Sequence, residues 1–170
     1  AEAIALAVEA IKLAGVTDFQ VGIGQVAVTH GLLEDAGVPP HLIKEFKLLM
    51  ARKDYVALEN RLSQLGLAQE RRQEMIDILA LRGGIEALLE ARALVRTPSM
   101  LSAIDDLEAV YQALDALGLS KYVFFDFSIL RDLDYYTGIV FEGYAAGLGY
   151  PICGGGRYDG LLGQFGLEVP

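Results

Sequence analysis

The sequence is poor in the residues that build disulfides and metal sites. Its 170 residues include one cysteine, Cys153, and two histidines, His30 and His41. A single cysteine excludes an internal disulfide, and neither histidine has a ligand partner at the spacing of a zinc site. The sequence therefore predicts no disulfide, no bound metal and no cofactor.

Long apolar runs and excess positive charge are missing as well. No apolar stretch reaches the roughly 18 residues that a membrane helix needs, and no signal-peptide pattern is present. The net charge of −9 disfavours a nucleic-acid surface, which needs an excess of lysine and arginine. These absences predict a protein of the reducing cytoplasm that binds neither membrane nor nucleic acid.

Several catalytic motifs are absent too. The run of glycines at 154–156 lacks the GxGxxG spacing of a dinucleotide turn and the Lys-Ser/Thr ending of a phosphate-binding loop. No GxSxG elbow occurs, and Cys153 has no histidine near it in sequence that could activate it. A nucleotide site on this glycine run alone and nucleophilic catalysis are therefore not expected.

Apolar residues that recur every three or four positions indicate several helices in a chain that is 53% hydrophobic. Gly15 closes the first helix, because glycine is common just beyond a helix end. Pro39 and Pro40 break the second, and Thr97 followed by Pro98 is a typical helix start. The predicted helices cover 4–14, 26–37, several pieces within 39–96, and 97–118.

Alternating apolar and polar residues indicate strands over 18–24, 122–129, 138–145 and 150–153, with a short helix over 158–165. Asp126 and Ser128 share one face of the second strand, which predicts a sheet with a dry side and a ligand-facing side. A short connection between 122–129 and 138–145 favours their antiparallel pairing. Strands close in sequence and helices gathered elsewhere predict an α+β fold with a mainly antiparallel sheet and an all-helical insert over 39–96.

Arginine, carboxylate, phenol and glycine residues are concentrated near the end of the chain. Arg131 follows an apolar strand and can bind a carboxylate or phosphate with two hydrogen bonds; the alternative is an ion pair with Asp132 or Asp134. In an extended Tyr135-Tyr136 pair, one phenol faces the core and one faces a pocket. These groups together suit a small zwitterion.

Two segments of this region resemble the histidine-specific motifs of the histidyl-tRNA synthetase family. They are LRDLDYYTGIVFE over 130–142 and GGGRYDGLL over 154–162. The resemblance implies a class II synthetase domain, which is an antiparallel sheet flanked by helices. It also implies that the full-length protein forms a homodimer. It divides the chain into a partial catalytic-type domain, 1–38 with 97–170, and an insert, 39–96.

The resemblance also implies residue roles. Arg131, Tyr136 and Tyr158 match positions that bind histidine, and no residue is assigned a catalytic role. The residues that would support the pocket are Asp134, Thr137, Gly155, Gly156 and Arg157. Asp132 stands where the family usually has glycine. The motifs that supply ATP contacts and the dimer interface are missing, and the chain begins at Ala1 inside a helical pattern, so a piece of a longer protein is expected.

Within this family, the segments ARKD at 51–54 and LRGG at 81–84 resemble a paralogous branch, the regulatory subunits of ATP phosphoribosyltransferase. That branch implies a noncatalytic protein that binds histidine and assembles with the short catalytic subunit of that enzyme. Two alternatives stay open: a fragment of a true histidyl-tRNA synthetase, and a histidine-binding or assembly module without signalling.

Overall fold

A computed structural model describes residues 1–130 and 136–166 of the chain. Within these ranges, seven α-helices flank one five-stranded sheet. The helices are α1 Glu2–Leu13, α2 Val26–Asp35, α3 Ile43–Ala51, α4 Tyr55–Gln64, α5 Gln69–Ala80, α6 Ile85–Leu94 and α7 Pro98–Ala116. The strands are β1 Phe19–Gln25, β2 Arg82–Gly83, β3 Val123–Asp126, β4 Ile139–Ala145 and β5 Cys153–Gly156.

The ends of the predicted helices follow local chemistry. Gly15 adopts the left-handed conformation (φ 83°) just beyond α1, where a side chain would be strained. At the start of α7, the Thr97 hydroxyl accepts a hydrogen bond from the Met100 amide at 3.2 Å, and Pro98 occupies the first turn. Both signals were present in the sequence, and both helices form as predicted.

The sheet has the order β2-β3-β1-β4-β5, and β1 and β3 are its one parallel pair among the described strands. A mainly antiparallel sheet is therefore confirmed. The predicted pairing of 122–129 with 138–145 is wrong, because β1 lies between β3 and β4 and pairs with both. The connection between them can cross one intervening strand, a distance of roughly 10 Å, so a short separation in sequence does not require a hairpin.

Three predicted elements end elsewhere than expected. β3 stops at Asp126, whose carboxylate accepts a hydrogen bond from the Ser128 amide at 2.9 Å and turns the chain. The strand predicted over 150–153 lies instead at Cys153–Gly156, because β4 pairs with the glycine run itself. The helix predicted over 158–165 is reduced to a 3₁₀ turn at Leu162–Phe165.

The segment 39–96, predicted to be all-helical, also contains β2, which forms an edge of the sheet beside β3. Its helices share a hydrophobic core with the rest of the fold. Ile78 of α5, Leu32 of α2 and Met100 of α7 line the same small cavity of about 20 Å³. The insert thus packs directly on the helices around it, while the boundaries of the two parts stay a prediction.

Replacing Thr97 with alanine should remove the cap of α7 and lower the free energy of unfolding by about 1 kcal/mol. Ser102→Ala is the matched control, because Ser102 is exposed within the same helix. Chemical denaturation of both variants measures the difference. Equal stability of the two variants would show that the Thr97 hydroxyl does not cap the helix.

Candidate ligand-binding face of the sheet

Strand alternation and register divide the side chains of the sheet between two faces. Val21, Ile23 and Phe125 lie on one face and belong to the core shared with the helices. The opposite side is called the polar face here. Its side chains are Gln20, Arg82, Phe124, Asp126, Val140, Glu142 and Tyr144, with glycines at 22, 24, 154 and 156.

A glycine in β1 lets an aromatic ring lie across the polar face. A Cβ atom on Gly22 would stand 2.9 Å from Cζ of Phe124 and 2.8 Å from Cδ1 of Ile129. A side chain at position 22 would have to displace the Phe124 ring and Ile129. The glycine at position 22 of β1 is thus covered by the chain's own Phe124 and Ile129.

Two tyrosines predicted to bind histidine lie together beside β5. The rings of Tyr136 and Tyr158 have centroids 6.3 Å apart in an edge-to-face arrangement. Tyr136 packs on Gly156, where a Cβ atom would stand 2.6 Å from the ring and 2.8 Å from Val140. Tyr158 is about half exposed, at 52%. The geometry brings two predicted site residues into one place, with Gly156 beneath them.

The described parts of the two histidine-motif segments are joined by backbone and side-chain hydrogen bonds. The Thr137 amide donates to the Arg157 carbonyl, and the Arg157 amide donates to the Ile139 carbonyl, each at 2.8 Å. The Thr137 hydroxyl donates to the Asp159 carboxylate at 2.9 Å, and so does Nε of Arg157. Thr137 and Arg157 therefore hold one segment to the other.

Asp159 is a member of this cluster that the sequence interpretation missed. Hydrogen bonds from Arg157 and Thr137 lower the pKa of its carboxyl group, so it stays ionised. Its signal in the sequence was weak, because an exposed aspartate two residues from an arginine is common on protein surfaces. Only the pairing of β4 with β5 brings it to Thr137.

Gly155 lies on the other side of β5. A Cβ atom there would stand 2.9 Å from the ring of Phe141, which packs against the core and is paired in register with Gly155. The missing side chain at this position makes room for Phe141. Gly155 thus faces Phe141, whereas Gly156 faces Tyr136.

Asp126 and Ser128 are buried, and they do not form an open ligand-facing row as expected. Asp126 is 4% exposed; one carboxylate oxygen accepts hydrogen bonds from the amide and hydroxyl of Ser128, and the other lies 3.4 Å from Nζ of Lys53. Lys53 is a non-glycine residue in the left-handed conformation, φ 55°. This cluster joins the insert to the end of β3.

The polar face also carries a cleft that sequence reasoning missed. Its volume is about 220 Å³, and Asp18, Gln20, Arg82, Phe124 and Tyr144 are among its lining residues. The Tyr144 hydroxyl donates to Glu142 at 2.5 Å. Burial, together with this carboxylate, raises the pKa of Tyr144, so the phenol remains protonated. The period-two pattern of β4 could have placed Glu142 and Tyr144 on one face, but not beside Arg82.

Arg131 and Asp134, predicted to bind histidine and to support the pocket, lie outside the described residues. Over residues 1–130 and 136–166, no group of three or more histidine, cysteine or acidic side chains is arranged to hold a metal ion. None of the helices in these ranges is both long and apolar enough to span a bilayer.

Comparison with known proteins identifies the family. The sequence profile described as histidyl-tRNA synthetase matches residues 1–170. The chain belongs to this family. Over 169 residues, it is 52% identical to the ATP phosphoribosyltransferase regulatory subunit of Moorella thermoacetica. The aligned residues make up 99% of this chain and 43% of that protein. The chain therefore spans less than half the length of this relative.

Solved structures of the family share the fold. One crystal structure is described as an ATP phosphoribosyltransferase regulatory subunit/histidyl-tRNA synthetase from Bacillus halodurans. It superposes on this chain with a TM-score of 0.89 at 37% identity, and the superposition covers 98% of this chain and 44% of that one. Histidyl-tRNA synthetase from Nostoc superposes with a TM-score of 0.81 at 26% identity, covering 95% and 40%. The class II synthetase-like α+β fold is confirmed.

Gly156→Ala should displace the Tyr136 ring and destabilise the fold by about 1–3 kcal/mol, because the new methyl group overlaps both that ring and Val140. Gly149→Ala is the matched control, since no atom lies near its Cβ position; its effect should stay within about 0.5 kcal/mol. Denaturation and the aromatic NMR signals of Tyr136 measure the change. Unchanged signals in Gly156→Ala would contradict this packing.

Proposed function

We propose that the chain is part of the noncatalytic regulatory subunit of ATP phosphoribosyltransferase. In this role, the complete subunit assembles with the short catalytic subunit in the cytoplasm and transmits feedback by histidine. The observation that carries the proposal is the 52% identity to a regulatory subunit across 99% of the chain. A full-length homodimer belongs to the same proposal.

Histidine is the proposed ligand of the pocket beside β5. Arg131 would bind its carboxylate, and the phenols of Tyr136 and Tyr158 would meet its imidazole or amine. Three features of the described residues support this arrangement: the edge-to-face tyrosine pair, the glycine beneath it, and the Thr137–Asp159–Arg157 cluster that holds the two segments together.

Feedback places a thermodynamic condition on this pocket. Histidine regulates the assembly only if it binds one assembly state more tightly than another, and the shift cannot exceed that difference in binding free energy. The proposed role therefore requires histidine affinity to change when the catalytic subunit binds.

A fragment of a histidyl-tRNA synthetase is the second candidate, favoured by the family profile and by the fold shared with the Nostoc synthetase. The two candidates differ in chemistry. A synthetase activates histidine with ATP, whereas a regulatory subunit binds histidine without activating it.

Adding the full-length subunit that contains this chain should raise the activity of a short ATP phosphoribosyltransferase and make that activity sensitive to histidine. Steady-state rates across histidine concentrations, with and without the subunit, measure both effects. Histidine-dependent exchange between ATP and pyrophosphate is assayed in parallel and should be absent. Exchange without any effect on the phosphoribosyltransferase would establish the synthetase alternative.

Arg131→Ala should weaken histidine binding at least about tenfold, since a charge-assisted contact is lost, and Tyr158→Phe should weaken it less. Calorimetry on the same full-length subunit measures both. Arg52→Ala and Tyr150→Phe are matched controls, because Arg52 and Tyr150 are exposed and belong neither to β5 nor to the tyrosine pair. Unchanged affinity in both folded test variants would refute the pocket assignment.

A further inference from the structure

Arg82 is presented to the polar face by a firmly held backbone. It pairs with Asp126 in the β2–β3 register, and the Phe127 amide donates to the preceding Leu81 carbonyl at 3.3 Å. On the other side, the Gly84 amide donates to the Glu86 carboxylate at 2.7 Å. Because both flanks are fixed, little backbone freedom is lost when the Arg82 side chain binds a partner.

The guanidinium of Arg82 stacks on an aromatic ring and keeps its hydrogen-bond donors free. Its central carbon lies 4.4 Å from the centroid of Phe124, whose ring lies across Gly22. Among the described residues, the Arg82 side chain has no hydrogen bond and no ion pair. A stacked guanidinium directs its N–H groups outward in the plane, the geometry that binds a carboxylate with two hydrogen bonds.

The nearest carboxylate in register does not neutralise Arg82. One oxygen of Asp126 is occupied by Ser128, and the other faces Lys53 at 3.4 Å. Lys53 belongs to the ARKD segment and Arg82 to the LRGG segment. The two segments meet here: the first supplies a cation for the buried acid, and the second supplies an arginine that remains available.

The surrounding cleft defines the chemistry of a partner. Tyr144 provides aromatic surface beside the buried ring of Phe124, with ring centroids 6.3 Å apart, and the cleft of about 220 Å³ is also lined by Gln20 and the exposed Asp18. One guanidinium beside carboxylates disfavours a doubly charged phosphate. A carboxylate for Arg82, an ammonium group for Asp18 and a flat group for the Tyr144 ring are complementary to this cleft.

This cleft is separate from the tyrosine pair beside β5. Tyr144 lies four residues along β4 from Val140, the residue that packs at Gly156 under Tyr136. Four strand residues span about 13 Å. A small ligand in the cleft therefore leaves the proposed histidine pocket unoccupied.

We propose that the cleft around Arg82 is a second binding site for a free α-amino acid with a planar side chain. Arg82 binds the carboxylate, Asp18 binds the ammonium group, and Tyr144 contacts the ring. This site goes beyond the proposed regulatory function and does not depend on it.

NMR titration of the chain tests the site with L-histidine, L-phenylalanine and histamine as probes. The side-chain Nε–H signal of Arg82 and the ring signals of Phe124 and Tyr144 should shift saturably with one or both amino acids. Histamine, which lacks the carboxylate, should not shift the Arg82 signal. A response to L-histidine alone identifies the feedback ligand as the occupant, and a response to both identifies a general site for planar amino acids. Absence of saturation with both amino acids overturns the proposal.

Two variants test the contacts independently. Arg82→Met should weaken amino-acid binding at least about tenfold, as measured by the NMR signals of Phe124 and Tyr144. Arg52→Met, at an exposed arginine outside the cleft, is the matched control. Asp18→Asn, also at an exposed position, should weaken L-phenylalanine binding and spare 3-phenylpropionate, which has no ammonium group. Unchanged affinity in a folded Arg82→Met variant overturns the proposal. If that variant does not fold, unchanged affinity of Asp18→Asn for L-phenylalanine overturns it instead.

Tyr158→Phe separates this proposal from the histidine pocket. That substitution should leave the response at Arg82 within about twofold of the unsubstituted chain. A parallel loss at Arg82 in Tyr158→Phe would show that the cleft is not a site of its own. Failure of the regulatory proposal, seen in phosphoribosyltransferase activity, leaves this result unaffected.

Discussion

The position of β1 between β3 and β4 is the constraint on which the structure depends. One side of β1 carries Val21 and Ile23, which are completely buried against the helices, and the other side carries glycines. Because β1 pairs with both neighbours, the end of β3 and the start of β4 lie on opposite sides of it. The segment that contains Arg131 joins these two strands.

Contacts between aromatic rings and glycines organise the sheet on both faces. Phe124 lies over Gly22, Tyr136 lies over Gly156, and Phe141 lies over Gly155 on the helix-facing side. Each ring takes the space of a missing side chain, and close packing of this kind is sensitive to a single added methyl group. The glycines thus set where the rings stand, and the rings set the shape of the candidate sites.

The described polar groups are divided between structural and ligand-binding chemistry. Asp126 is satisfied by Lys53 and Ser128, and Asp159 is satisfied by Arg157 and Thr137, so both carboxylates stabilise the chain itself. The buried carboxylate of Asp126 needs such partners, because an unpaired charge in the interior is costly. Arg82 differs, since its stacking on Phe124 supports the side chain without using its donors. This contrast distinguishes a cleft suited to binding from a cluster that joins two parts of the fold.

The sequence by itself determined the end of α1, the start of α7, the segments that form β1 and β4, the α+β class and the family, because these follow from caps, glycines, apolar spacing and sequence motifs that are local in the chain. Thr97, Gly15 and the two histidine-motif segments are examples. The tertiary structure alone decided that β1 separates β3 from β4, that Asp126 meets Lys53 and that Arg82 stacks on Phe124. These contacts join residues far apart in the chain, and they depend on strand order and register, which alternation within a single strand does not specify.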